Sequence, residues 1–418
     1  MNNELETERS DLLAHLDRAV SPAHSVEALG DRLFGSGFEP ASWDDLESGL
    51  PEAGVLRHGG LLLAWRRGST PGFRIIGAHT DSPVLKVKPR PDTGGHGWRQ
   101  LGVEVYGGIL NNSWLDRDLG VAGVLALRGG GSHLVDVREP IARIPQLAVH
   151  LDREVNDRGL VLDRQTHLVP VWGTGGVEPG DFVRFLAEKS GRPVDEIVAF
   201  DLCLYDLSPA AVIGADRSLI ASGRLDNQLS CWAAVNALID TGVSHRTSVV
   251  ALFDHEEVGS ESVSGAAGPR LGWLLESLHR GSRGGFHTAL AASVCISADN
   301  AHAVHPNYPE RHEPGHRPLV NRGPVLKVNA NQRYATGPEG AELFVRACAN
   351  AGVPHQVFVS RNNMACGSTI GPVTATRLGI PTVDVGAPQL SMHSARELCG
   401  VEDPVLLRRA LSGFLGEP

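Results

Sequence analysis

No apolar run in the 418-residue sequence approaches the roughly 20 residues that a membrane helix needs, so a helical membrane protein is not expected. The opening stretch, "MNNELETERSDLLAH", is acidic and polar, the opposite of a secretory leader. Six cysteines are scattered without any Cys-x-x-Cys pair, which argues against a disulfide framework and against a thiolate zinc site. Cations are in short supply as well. Lys and Arg number 38 against 48 Asp and Glu, a formal charge of −10, and gripping nucleic-acid phosphates needs the reverse balance. Internal repeats and low-complexity tracts are also missing. What remains is an ordinary globular composition, 42% hydrophobic and 21% charged, long enough for two domains. A cytoplasmic enzyme with neither a nucleic-acid nor a membrane partner fits all of this.

Along the chain, two textures alternate. The first forty residues read as helices: Leu12, Leu13, Leu16 and Val20 share a face, and after a break at Ser21-Pro22 so do Val26, Leu29 and Leu33. "FRIIGAHTDSP" then gives a strand over Phe73–Ala78. From about Val84 to Leu219 the sequence is glycine-rich with short alternating runs, a β-rich block with one helix in "PGDFVRFLAEKSG". After Ala221 strands and helices alternate. The strands are expected at 248–253, 293–297, 356–360 and 382–385, a helix begins near Asp226, and Pro338 opens another that ends near Gly352. Such alternation implies an α/β fold with a largely parallel sheet flanked by helices. The simplest assembly makes residues 1–83 and 220–418 one domain and residues 84–219 a β-rich insertion.

Polar residues collect where these strands end. His79 and Asp81 follow the first strand, Glu256 and Glu257 follow 248–253, Asp299 follows 293–297, and His393 follows 382–385 by a short loop. Open α/β sheets bind ligands beyond the carboxyl ends of their strands. Taken singly, each residue has a plain role: a histidine in the core or on the surface, an aspartate such as Asp226 capping a helix. Taken together they make a histidine and carboxylate set suited to zinc or a similar divalent ion. A mononuclear zincin would need His-Glu-x-x-His, and Gly259 stands where the second histidine belongs. A two-metal site bridged by a carboxylate uses the surplus acids. It also gives the adjacent pair in "FDHEEVGS" separate tasks, one glutamate as ligand and one as base.

At these positions the sequence resembles the aspartyl aminopeptidase family of dinuclear zinc exopeptidases. The likeness runs through "SPAHSV", "GAHTDSP", "NNSWLDRDLGVAG", "RLDNQLS", "FDHEEVGSES", "SADNAHAVHPNY", "KVNANQRYAT", "CGSTIGP" and "DVGAPQLSMHSARE". The resemblance implies a zinc-peptidase α/β domain carrying an inserted dimerisation domain, and a homo-oligomer, commonly a dodecamer built from dimers. It implies His79, Asp226 and Asp299 on one metal and Asp226, Glu257 and His393 on the other. Glu256 would be the general base, with Asp81 orienting His79. His150, His167 and Lys327 match family positions associated with substrate, His167 through a neighbouring subunit. Plain alternatives are an interface or core histidine for His167 and a solvent-exposed lysine for Lys327. The segment "RNNMA" before "CGSTIGP" departs from the family pattern, which bears on the shape of the substrate pocket.

The implied function is a metal-dependent aminopeptidase acting on the N-terminal residue of peptides, with Asp or Glu favoured. It would use two divalent ions, zinc first, with cobalt or manganese as substitutes. A dinuclear zinc deacylase or carboxypeptidase shares the metal set but needs a cationic clamp for a substrate carboxylate. A catalytically dead scaffold would have lost the base or a ligand, and none is missing here.

Overall fold

The computed structural model describes residues 2–279, 281 and 283–417. The chain divides into two compact units, one of Met1–Asp81, Ala210–Met392 and Glu397–Pro418, the other of Ser82–Pro209 and His393–Arg396.

The first unit is built on a nine-stranded sheet. Its middle four strands, Arg246–Phe253, Thr70–His79, Val294–Ala298 and Thr382–Gly386, are neighbours and run parallel. Their carboxyl ends therefore share one edge. From Gly72 the strand Thr70–His79 is almost entirely buried, because both faces are covered, and such strands read as continuous apolar runs. Alternate residues serve two cores. Ile76, Ala78, Val250, Leu252 and Ile296 face a cluster with Leu12, Leu29, Trp232, Phe344 and Phe414. Ile75, Val249, Ala251 and Cys295 face another with Trp65, Leu274 and Ile370.

Leu225–Thr241 is the central helix, buried at every position from Leu225 to Leu238, polar Asp226, Asn227, Gln228, Ser230 and Asn236 included. The break at Ser21-Pro22 separates helices Asn2–Arg18 and Pro22–Gly35. Ser21 caps the second by accepting the His24 N–H, with Pro22 in the first turn. Helix Pro338–Asn350 likewise opens on its proline.

Three strands on one side of the large sheet, Glu39–Ala41, Ala53–His58 and Leu61–Arg66, and a fourth at Val325–Val328 were not expected from the sequence. Leu61–Arg66 is buried on both faces, so "LLLAWR" offers no alternation to read. A smaller five-stranded sheet contains Ala211–Ile213, Leu219–Ser222, Glu397–Gly400, Pro388–Leu390 and Ala301–His302. Ala211–Ile213 pairs with Leu219–Ser222 there, although its sequence texture had put it in the insertion.

The second unit holds a six-stranded antiparallel sheet, in the order Ser132–Ala142, Leu119–Leu127, Ile197–Asp206, Val84–Gly95, Trp98–Tyr106 and Val171–Thr174. Helix Asp181–Ser190 packs Phe182 and Leu186 into a core with Leu85, Leu101, Val121 and Leu204. Its first turn is anchored by Asp92, whose carboxylate accepts the N–H groups of Gly180 and Phe182 at 2.8 and 2.9 Å, partners a helix start otherwise lacks. Between residues 147 and 161 this unit exposes Leu147, Val149, Leu151 and Val161 by 59, 48, 75 and 85%.

Candidate metal centre

Three adjacent parallel strands deliver the site in the first unit. His79 ends the middle one, opposite Phe253 in register, and Asp299 follows Ala298 on the other side. The turn after His79 is fixed by its backbone. Thr80 N–H donates to the Phe253 carbonyl at 2.7 Å, and the Gln228 amide donates to the Thr80 carbonyl at 2.6 Å. His79 and Asp81 are each 1% exposed and Asp226 3%.

The adjacent glutamates sit in a 3-10 turn, Glu256–Val258, preceded by His255 in the left-handed region at φ 62°. Asp81 holds this turn. Its two carboxylate oxygens accept the N–H groups of Glu256 and Glu257, each at 3.1 Å. The sequence reading gave Asp81 the task of orienting His79. In the structure His79 Nδ1 lies 3.1 Å from the Asp81 backbone carbonyl and 3.4 Å from its carboxylate. A carbonyl only accepts, so Nδ1 carries a proton, and Nε2 is the ring nitrogen that faces the acids and would be the one free to bind a metal.

Around His79 Nε2 lie Asp226 Oδ1 at 3.4 Å, Asp299 Oδ1 at 3.8 Å and Glu256 Oε2 at 3.9 Å. Two sets, His79 with Asp226 and Asp299, and His79 with Glu256 and Glu257, each bring one donor atom per residue within 4.8 Å of the others. Asp226 belongs to the helix Leu225–Thr241 but has an extended backbone, φ −83° and ψ 103°, so it is not a simple capping residue. Its N–H donates to Glu397 at 2.9 Å, a residue to which the sequence reading gave no role.

This crowding moves the proton equilibria. Burial lowers the His79 pKa, but Asp226, Asp299, Asp81 and Glu256 outweigh it and hold the imidazole well above its ordinary range. Burial pushes the Glu256 carboxyl up to about 8; His79 opposes this, while Asp299, Asp81 and Asp226 reinforce it. The His79 shift shows that the protein gathers more negative charge here than its own cations offset. A divalent cation suits that excess, and the donors are the oxygens and imidazole nitrogen zinc takes. The nearby Cys231 is no rival ligand. Burial pushes its thiol up to about 12, and it donates to the His79 carbonyl at 3.0 Å.

Lys327, placed in the substrate pocket by resemblance, is 2% exposed. Its Nζ lies 3.5 Å from Asp299 Oδ2 and donates to the Asn300 carbonyl at 3.3 Å. It meets the neighbouring cavity through Tyr334, whose ring it faces at 5.1 Å. That cavity, about 270 Å³, is lined by His302, Arg311, His312, Tyr334 and Arg361 among others.

The remaining candidates lie in the second unit. His393 directs Nδ1 to the Gly108 carbonyl at 3.0 Å, which leaves Nε2 as its lone-pair atom. His150 and His167 are both exposed. Nδ1 of His167 accepts the Asp163 N–H at 2.9 Å, so Nε2 carries its proton outward.

Comparison with known proteins agrees with this chemistry. The family model described as aminopeptidase I zinc metalloprotease (M18) matches residues 15–415. A probable M18 family aminopeptidase 2 of Streptomyces coelicolor is 50% identical over 418 residues, covering 97% of this chain and 96% of its own. Its namesake in Mycobacterium leprae is 45% identical, covering 97% of each. Among solved structures, a chain in the cryo-EM structure of the Ape4 and Nbr1 complex matches with a TM-score of 0.95 at 34% identity, over 100% of this chain and 86% of that one. The S. cerevisiae mApe1 dodecamer matches with a TM-score of 0.85 at 29% identity, over 99% and 97%. The chain belongs to the M18 family of aminopeptidase I zinc metalloproteases, and is therefore a metal-dependent aminopeptidase.

Proposed function

We propose that the enzyme removes the N-terminal residue of peptides with two divalent ions, zinc first and cobalt or manganese as substitutes. His79, Asp226 and Asp299 hold one ion. Asp226, as bridge, and Glu257 serve the other, for which the resemblance adds His393. When bound, the ions supply Lewis acidity that polarises the scissile carbonyl and acidifies the attacking water. Glu256 takes that water's proton and passes it to the leaving amine. The observation that carries this division of labour is the grip of Asp81 on both glutamate N–H groups. With the two backbone positions fixed, both carboxylates are held within reach of His79, and their separate tasks follow the resemblance.

Burial pushes the Glu256 carboxyl up to about 8, and positive charge at the centre would favour its ionised form, the form that accepts a proton. For the substrate side chain, an acidic preference is supported by Arg311 and Arg361 in the cavity lining. His302 and His312 add little charge there, because burial lowers both.

The exposed apolar side chains between residues 147 and 161 support assembly into a homo-oligomer, the dodecamer of mApe1 being the pattern. His150 and His167 then serve a neighbouring subunit's site. The six cysteines form no disulfide, which suits a reducing compartment and supports the cytoplasm, and no described helix is long and apolar enough to cross a membrane. A panel of fluorogenic aminoacyl substrates, run with zinc, cobalt, manganese and after chelation, tests this reading. Metal-dependent cleavage, faster on Asp and Glu than on Leu, is expected. Full activity after chelation, or cleavage confined to N-acylated substrates, contradicts it.

A further inference from the structure

We propose that Glu397, Gln389 and Asn300 form a closed positioning frame around the peptide unit in front of Asp226, and that the frame requires a carboxylate at position 397. The inference rests on the reading of Asp226 as a metal ligand. All three side chains are buried, 2, 1 and 3% exposed, and none belongs to the proposed ligand set. The Asp226 N–H donates to Glu397 Oε2 at 2.9 Å. The other half of the same peptide unit, the Leu225 carbonyl, accepts from Asn300 Nδ2 at 2.8 Å. That Nδ2 also donates to Gln389 Oε1 at 2.8 Å, and Gln389 Nε2 donates to Glu397 Oε1 at 3.3 Å. The ring is closed.

Its direction is forced. The Leu225 carbonyl can only accept, so Asn300 must turn its NH2 towards it. That NH2 obliges Gln389 to present oxygen, which leaves the Gln389 NH2 facing Glu397. Glu397 therefore meets a donor at each end, and only a carboxylate accepts at both. Glutamine at 397 would set NH2 against NH2, and no amide flip along the ring cures it. The frame thus explains a buried glutamate where an amide of equal size would leave a polar group unsatisfied. Its effect is to fix the backbone from which the bridging carboxylate projects, while Asn300 also follows Asp299 directly in the chain. Partners of this outlying kind are worth about 10–100-fold in metal affinity or activity.

The test uses the intact enzyme and three variants: Glu397→Gln, the swap Glu397→Gln with Gln389→Glu, and Asp226→Asn. The swap restores the donor and acceptor order and the net charge, because glutamate at 389 accepts from both neighbours. Zinc affinity is read by competition with a chelating indicator, alongside kcat, KM and thermal midpoint. Glu397→Gln should weaken zinc binding by about tenfold or more and lower kcat with little change in KM. The swap should recover most of both. Wild-type zinc affinity in Glu397→Gln, or a folded swap no better than the single variant, overturns the frame. Should Glu397→Gln fail to assemble, Gln389→Ala opens the same ring without touching the Glu397 bond to Asp226. A tenfold loss of zinc affinity there supports the frame, and an unchanged affinity overturns it. Asp226→Asn separates the two ideas. If it keeps full zinc, the ligand reading itself fails; if it loses zinc while Glu397→Gln does not, only the frame fails.

Discussion

The strand-end cluster of the first unit and the 147–161 segment of the second are incomplete in opposite ways. In the first, carboxylates are buried with too little positive charge, and the strain appears as a Glu256 carboxyl pushed up to about 8. In the second, Leu151 and Val161 stand 75 and 85% exposed with nothing apolar to cover them. One region asks for a cation and the other for a protein surface. Charges taken out of water need opposite charge, and large apolar patches left in water mark interaction sites. A single chain can therefore show both its cofactor and its partner by what it leaves unbalanced.

The comparison breaks most visibly at the apolar segment. Leu151→Asp with Val161→Asp should shift assembly towards smaller particles by about 10³-fold in concentration, if burying each side chain is worth ~2 kcal/mol. Light scattering over a concentration series reads this, and unchanged particles would remove the segment from the interface. Zinc content of the first unit should stay as it was. His167→Phe, by contrast, should lower turnover while the particle keeps its size.

A smaller effect sharpens the first region. Lys327 holds Asp299 at 3.5 Å, so Lys327→Ala should free that carboxylate to move and lower cleavage of aspartyl and leucyl substrates alike. Arg361→Ala should instead narrow the ratio between the two substrates and leave zinc alone. Ratios of kcat/KM for the two substrates in both variants decide which cation reads the side chain.

The smallest effect concerns His15, buried beside Arg32 and Asp11. Burial, with Arg32 adding to it, lowers its pKa from 6.5 to about 4. The unfolded chain binds the proton first, so His15 contributes stability that is fully present above pH 6.5 and is lost as pH falls towards 4. The full contribution is of order 3 kcal/mol at 1.36 kcal/mol per unit. His15→Gln should flatten the fall in thermal midpoint between pH 6.5 and 5; an unchanged slope would place the acid sensitivity elsewhere.

Much of the first region was legible because its residues lie at the ends of strong apolar strands, where position alone marks His79, Glu256, Glu257 and Asp299. Asp226 was legible as a helix start but not as an extended residue within one. The role of Asp81 as anchor of the glutamate turn was hidden, since its partners Glu256 and Glu257 lie 175 and 176 residues away. Glu397 was hidden for the same reason, 171 residues from Asp226, with no local pattern to mark it. Lys327 was read by resemblance as a residue of the substrate pocket, and its contact with Asp299 had no local signal. In the short strand Val325–Val328 nothing in the sequence marks a lysine as the partner of a buried aspartate.

The central claim is that one turn gives two neighbouring glutamates different work, and metal analysis of two variants tests it most directly. Glu256→Gln keeps size and hydrogen bonding but cannot accept a proton. It should retain zinc and lose turnover by about 10²–10⁴. Glu257→Gln removes an anionic ligand, so it should lose zinc and regain part of its activity when zinc is added in excess. The reverse pattern, zinc lost from Glu256→Gln and kept in Glu257→Gln, would exchange the two roles. Full zinc and full activity in both would place the chemistry elsewhere.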